Sequence, residues 1–222
     1  MRVYRVSLLL LGLAGVAVAQ KEPVPVNQEP HHKMVLKNDF VEVMHVTLAP
    51  DERTLYHTHS HDRAAIELSH SSLAQQKMGE AEGEAGPTHP GELSVSTAIP
   101  GGYSHRVHNV GSGNFDVLDV EFLQRPEKPA ESIAATVAGE NPSARAYHWN
   151  LAPGAKTPEH KHERPYLIVA ATAIQLKMSA PDGQTMSHAV KAGDVHWVDS
   201  PVTHILANDS TTAGEIVELE LK

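Results

Sequence analysis

The chain of 222 residues holds no cysteine and carries a formal net charge of −9. Disulfides and thiolate metal ligands are therefore excluded, and an acidic chain with no basic run interleaved with aromatics repels phosphate backbones, so nucleic acid is not an expected partner. Sixteen histidines outnumber the three Phe, two Trp and five Tyr together, which directs attention to metal sites built from nitrogen and oxygen.

In chain order, residues 1–19 read as a secretory signal peptide. Arg2 and Arg5 supply a positive start, Leu8 to Val18 an apolar run, and Ala17-Val-Ala19 a small-residue cleavage site before Gln20. The apolar run is short of the roughly 20 residues a membrane span needs. The expectation is a periplasmic or secreted protein with no membrane anchor once the signal is removed; a retained anchor helix is the alternative. Residues 20–34 form a Pro-rich lead-in, expected to be extended and mobile.

From residue 35 the chain repeats itself. His45-Val-Thr-Leu-Ala-Pro50 through His57-Thr-His59 aligns without a gap on His148-Trp-Asn-Leu-Ala-Pro153 through His160-Lys-His162, an offset of 103. His105-x-x-x-Asn109 matches His204-x-x-x-Asn208, and Val117-Leu-Asp-Val-Glu121 matches Ile216-Val-Glu-Leu-Glu220, both at an offset of 99. Such self-similarity marks two homologous domains, placed at 35–124 and 144–222. The linker, 125–143, has Pro-containing breakers at both ends. Its middle, Ser132 to Ala138, is read as a short helix or an extended strand. Short alternating runs at Val41–Val46 and Val117–Leu123, together with Leu167–Ala171 and Ala173–Met178, are punctuated by turns such as Pro100-Gly-Gly102 and Pro181-Asp-Gly183. They predict an all-β chain of sandwich or barrel type.

Residues two apart on a strand face the same way, so His57 with His59, and His160 with His162, each present two imidazoles together. His105 and His204 follow turns several strands later and supply a third nitrogen to each pair. A pair plus one distant histidine, occurring twice at matching places, is a metal signature; a lone His-x-His would more simply be surface or core histidines. Asp62 and His61 are candidate fourth ligands in the first copy, or else loop residues. His45 and His148 either orient a ligand or are satisfied barrel histidines. His31, His32, His70, His89, His188 and His196 read as structural or exposed, His108 as facing away from His105, and Gly79 to Glu84 as a solvated turn.

These motifs resemble those of the cupin superfamily. The first copy matches the family's second motif at Pro100, Gly102, His105 and Asn109. The second copy matches the first motif at Gly154, His160 and His162, and the second loosely at Gly193, His204 and Asn208. The resemblance, over about Val35 to Lys222, implies two tandem cupin barrels (double-stranded β-helices, or jelly rolls). It implies metal at His57, His59 and His105 and at His160, His162 and His204. The family's acidic ligand falls where this chain has Arg63 or Ala64 in one copy and Tyr166 or Leu167 in the other. An all-histidine donor set is therefore expected, similar to that of the cysteine-, gentisate- and diketone-cleaving dioxygenases with Fe2+; Cu2+, Zn2+, Mn2+ and Ni2+ also suit imidazole.

Three functions compete, because this superfold hosts many. A metal-dependent oxygenase or oxidoreductase acting on a small organic molecule comes first, a non-catalytic metal- or ligand-binding module second, and a metal-assisted isomerase or lyase third. The first copy is favoured for the chemistry: an inward Arg63 would clamp a substrate carboxylate through two parallel bonds, which makes an organic acid the expected substrate. Tyr166 is the corresponding candidate in the second copy, as a ligand or a pocket-lining aromatic. A small molecule is the expected partner, and a homodimer is compatible with the sequence.

Overall fold

A computed structural model describes Gln20, residues 22–126 and residues 131–222; residues 1–19, whose sequence reads as a signal peptide, lie outside the described residues. The first domain contains β1 (Val24–Pro25), β2 (His32–Lys37), β3 (Val41–Leu48), β4 (His57–His59), β5 (Asp62–Glu67), β6 (Ser71–Lys77), β7 (Gly86–Thr88), β8 (Leu93–Ser96), β9 (Tyr103–Asn109) and β10 (Phe115–Phe122). The second contains β11 (Gly139–Glu140), β12 (Ala144–Leu151), β13 (His160–His162), β14 (Tyr166–Ala170), β15 (Ile174–Ser179), β16 (Thr185–Val190), β17 (Val195–Val198), β18 (Val202–Asn208) and β19 (Gly214–Leu221). Among the described residues the one helical turn is the 3-10 turn at Val26–Gln28.

Each domain is a pair of facing sheets. The first pairs β1-β4-β9-β6-β7 with β2-β3-β10-β5-β8, and the second pairs β13-β18-β15-β16 with β11-β12-β19-β14-β17. The strand orders correspond, so the sequence repeat is a structural repeat: two tandem jelly-roll barrels. Matching residues fasten corresponding turns. Asn109 Nδ2 donates to the Leu48 and Gly113 carbonyls, as Asn208 Nδ2 does to those of Leu151 and Thr212. Thr54 Oγ1 accepts from the Val107 N–H as Thr157 Oγ1 does from Leu206.

The two domains meet sheet against sheet, and this contact is the largest apolar cluster. Leu118, Val120, Val43, Ala64 and Ile66 from the first domain pack with Ala146, Leu167, Val169, Val217 and Leu219 from the second. Burying a Val, Leu or Ile side chain fully is worth about 1.5–3 kcal/mol, so this face contributes stabilisation that both barrels share. It also fixes what the opposite face of each central strand must do. On β10, Leu118, Val120 and Phe122 point at the partner domain, which turns Val117, Asp119 and Glu121 into the first barrel. On β19, Val217 and Leu219 point outward while Ile216, Glu218 and Glu220 point into the second.

Two segments differ from expectation. The lead-in is not free chain: β1 pairs in parallel with β4, β2 pairs with β3, and Val26, Glu29 and His32 are buried. In the linker, Ser132 to Ala138 forms neither the helix nor the strand that the sequence allows. Ile133 is buried with its N–H donating to Tyr147 Oη, and Gly139–Glu140 already pairs with β12.

Candidate metal centres

The six histidines predicted from spacing come together as two buried clusters. In the first, β4 sits in register with β9 so that His57 lies opposite His105, and one ligand nitrogen from each of His57, His59 and His105 falls within 4.8 Å of the others. In the second, His160 lies opposite His204 on β18, and His162 completes the set. The turn before His105 needs glycine: Gly102 has φ +79°, and a Cβ there would meet Thr58 Cγ2 at 2.6 Å and the His59 carbonyl at 3.0 Å.

Partners fix the tautomers. His57 Nδ1 donates to the Leu55 carbonyl (2.9 Å), and His160 Nδ1 to the Pro158 carbonyl (2.9 Å). A carbonyl only accepts, so the proton is on Nδ1 and the Nε2 lone pair faces the cluster. His59 Nδ1 likewise donates to Glu121 (2.7 Å) and His162 Nδ1 to Glu220 (3.0 Å). The inward nitrogens crowd together, with 3.0 Å between Nε2 of His59 and His105 and 2.8 Å between Nε2 of His204 and His160. Converging inward nitrogens, backed at His57, His59, His160 and His162 by an outer hydrogen bond, are the chemistry of a divalent-metal site. His162 Nε2 and Glu218 Oε1 are buried without a hydrogen-bond partner, as atoms awaiting a cation would be. The residues present fit a divalent ion at both centres.

In the second cluster a carboxylate stands with the three histidines, a neighbour that the expected all-histidine set does not include. Glu218, wholly buried, places Oε2 3.2 Å from His160 Nε2 and Oε1 3.1 Å from His204 Nε2 and 3.4 Å from His162 Nε2. Trp149, stacked on His160, donates its indole N–H to Glu218 Oε2 at 2.7 Å. In register, Glu218 lies opposite Ile168, two residues along from Tyr166; the acid stands on the strand beside the one where the family motif puts it. Its counterpart in the first barrel, Asp119, reaches 3.5 Å from His59 Nδ1, the outer nitrogen. The signal was available: both acids lie in the segments that matched at an offset of 99.

Electrostatics separate the centres. Burial and the neighbouring rings of His32 and His59 push the His57 imidazole down to about 3, and burial with His57 and His59 pushes His105 down as well. His57 and His105 are thus held neutral. In the second, burial opposes charge on His162 but is outweighed by Glu218 and Glu220, which raise it to about 9. Burial also opposes charge on Glu218, yet the three histidines hold it well below the ordinary carboxylate range.

The remaining candidates are placed as follows. Arg63 points inward, its Nη1 3.7 Å from Asp119 Oδ1 and its guanidinium over Tyr103. With His59, His61, Ser96, Ile99 and Tyr103 it lines a pocket of about 220 Å³. Tyr166 is not in the donor set: its ring stacks on His162 at 3.9 Å and its hydroxyl lies 3.5 Å from His204 Nδ1, the outer nitrogen. Burial, with Glu218 and Glu220 nearby, raises its phenol, which stays protonated. Asp62 is no ligand either, because it faces out of the barrel, where it holds Arg125 through two bonds and Ser143 through one. His61 Nδ1 meets Glu121 at the pocket rim. His45 and His148 lie on the outward face, paired with Asp116 and Glu215, and His108 pairs with Asp51 and Glu82. His32, read as structural or exposed, is instead buried beside the first centre. Its ring is 4.6 Å from that of His57, its Nδ1 bonds Glu29 at 2.7 Å, and its Nε2 is 4.0 Å from Asp119.

No family model matches the chain. The β-alanine degradation protein BauB of Pseudomonas aeruginosa is 32% identical over 87 residues, which span 39% of this chain and 90% of BauB. Among solved structures, a cupin 2 conserved barrel domain protein from Leptotrichia buccalis superposes with a TM-score of 0.53 at 13% identity, over 85% of this chain and 87% of that one. Salicylate 1,2-dioxygenase from Pseudaminobacter salicylatoxidans superposes with a TM-score of 0.55 at 13% identity, over 82% and 71%. These likenesses carry the fold, and BauB matches about one barrel's length of sequence. With two such barrels in tandem, each closed around a histidine cluster suited to a divalent metal, the chain belongs to the cupin superfamily and is a bicupin.

Proposed function

We propose that this bicupin is a metal-dependent oxygenase or oxidoreductase acting on a small organic acid, with the reaction in the first barrel. The observation that carries the proposal is Arg63, inward and beside the first centre, at a pocket about 220 Å³ in volume whose wall it shares with the metal-binding His59. A guanidinium there pairs with a carboxylate through parallel bonds, and Tyr103, under the same guanidinium, holds it in place. His57, His59 and His105 would hold the ion, Fe2+ being the first expectation. When bound, it supplies Lewis-acid or dioxygen chemistry. Glu121 keeps the proton of His59 on Nδ1 and so keeps its Nε2 free. BauB is named for degradation of β-alanine, itself a small carboxylate, in keeping with this substrate class. Residues 1–19 are proposed to direct export, with cleavage before Gln20, which N-terminal sequencing of secreted protein checks. The test of activity is oxygen uptake by Fe2+-loaded protein across a panel of small carboxylic acids. Consumption with none of them, while the metal stays bound, overturns the assignment.

A second reading, a ligand-binding module, is favoured by one feature of the other barrel: an apolar cavity of about 650 Å³ lined by Ile168, Leu176, Met178, Val198, Val202 and Ile216. On this reading an uncharged dye such as Nile red brightens on binding, and Met178→Asp abolishes the signal.

A further inference from the structure

The two centres are built from aligned residues yet differ at one decisive place, the inward acid of the central strand. Glu218 on β19 has oxygens 3.1–3.4 Å from the inward nitrogens of all three histidines. Asp119 on β10 is one methylene shorter, a loss of about 1.5 Å of reach, and His57, His59 and His105 cluster without it. Its neighbours draw it elsewhere. Oδ2 faces the outer nitrogen of His59 at 3.5 Å and His32 Nε2 at 4.0 Å, and Oδ1 faces Arg63 at 3.7 Å. Of these neighbours, Arg63 and His32 have no counterpart in the second barrel, where Tyr166 stands in place of Arg63 and the lead-in bearing His32 is absent. Glu218 in turn is held toward its histidines by the Trp149 indole, a donor that the aligned Val46 cannot supply.

We propose that the length of this acid sets the coordination of each barrel. Glu218 is a metal ligand, giving the second centre three imidazoles and a carboxylate. Asp119 stays out of the donor set, and the first centre is held by imidazole alone. The charge follows. Each centre has a carboxylate behind one histidine, Glu121 on His59 and Glu220 on His162; the difference is that Glu218 sets a negative charge inside the second donor set, whereas the first donor set is uncharged and faces a pocket that contains Arg63. Small anions are therefore accepted as additional ligands at the first centre and refused at the second. The inference rests on both clusters holding metal, but not on the reaction proposed for the first.

The test uses the mature chain, stripped by chelator and titrated with Co2+, whose visible bands report the donor set. Quenching of Trp149, which stacks on His160, reports the second centre. Glu218→Gln is expected to weaken the quenching phase tenfold or more and to shift the band that accompanies it, while Asp119→Asn leaves the first centre's band in place. Azide should perturb the first band only. Asp119→Glu supplies a check that does not depend on Glu218→Gln folding: the longer acid adds a carboxylate, so the first centre's band shifts toward that of the second and its response to azide is lost. The inference is overturned if Asp119→Asn shifts the first band as Glu218→Gln shifts the second, or if azide perturbs both. Two Co2+ bound with no effect of Glu218→Gln sinks the ligand assignment alone; no Co2+ bound at either cluster sinks the metal reading beneath it.

Discussion

The two barrels share a strand order and a set of turn fastenings, yet their interiors have diverged in opposite directions. Where the first barrel has Ala65, Glu67, Gln75 and Ser96, the aligned or register-matched residues of the second are Ile168, Ala170, Met178 and Val198. The first interior is polar, with a cavity of about 70 Å³ behind the metal centre and the Arg63 pocket at its mouth. The second is apolar and about 650 Å³ in volume. The two halves thus share what folds and orients the histidines and differ in the side chains that line the barrel interiors. A fold shared by both halves carries no information about which half reacts; the lining residues do.

The largest expected effect tests whether the centres are independent. His160→Ala with His162→Ala removes two of the second centre's histidines and should lower bound metal by one equivalent, read by elemental analysis, with the first centre still loaded. An unchanged ratio of metal to protein would show that the second cluster holds none.

A second effect concerns what the barrels share. Leu118 is fully buried in the cluster between the domains, and Leu118→Ala should destabilise the protein by about 2–5 kcal/mol. Because the face belongs to both, urea unfolding followed by Trp149 in the second barrel should shift along with far-ultraviolet dichroism of the whole. If Trp149 unfolds at its original midpoint, the barrels are separate stability units.

This shared face also explains what was legible in the sequence. The histidine sets could be read because a repeat restates them and because strand parity puts His57 with His59 and His160 with His162. Glu218 and Asp119 were equally repeated but went unrecognised, since apolar–acidic alternation ordinarily marks a strand with one wet face. Here the apolar face of β10 and β19 is covered by the other domain, so the acidic face looks inward to the metal centre. That inversion depends on docking, which no local pattern encodes. His32 was missed for a similar reason: nothing in a Pro-rich lead-in indicates that it will join β3 and deliver an imidazole beside His57.

A third effect is specific to the first barrel. Glu67 is pushed up to about 8 by burial, with Glu92 adding to it. Above the ordinary glutamate range the unfolded chain releases this proton while the folded protein keeps it. Stability from Glu67 is therefore full in acid and is lost as the pH rises through about 8. Glu67→Gln should flatten that decline by about 1–2 kcal/mol once solvent screening is allowed for, measured as urea midpoints from about pH 5 to about pH 9. The aligned Ala170 has no such proton, and an undiminished slope in Glu67→Gln would place the pH dependence elsewhere.

The smallest effect is the one that assigns the chemistry. Arg63 and Tyr166 occupy the same strand position in their barrels, opposite Glu121 and Glu220 respectively. Arg63 lines a pocket and keeps a cation beside the first centre, so Arg63→Ala should raise KM for a carboxylate substrate about tenfold, or about 1.4 kcal/mol, with metal content unchanged. Tyr166 instead spends its ring on His162 and its hydroxyl on the outer nitrogen of His204. Tyr166→Phe keeps the stacking and should leave kcat and KM within about twofold, a difference of under about 0.5 kcal/mol. The split between KM and kcat matters, because losing a substrate clamp raises KM first, whereas a disturbed metal centre lowers kcat together with bound metal. If Tyr166→Phe abolishes turnover while Arg63→Ala changes neither constant, the roles are exchanged, and the apolar cavity of the second barrel becomes the place where substrate binds.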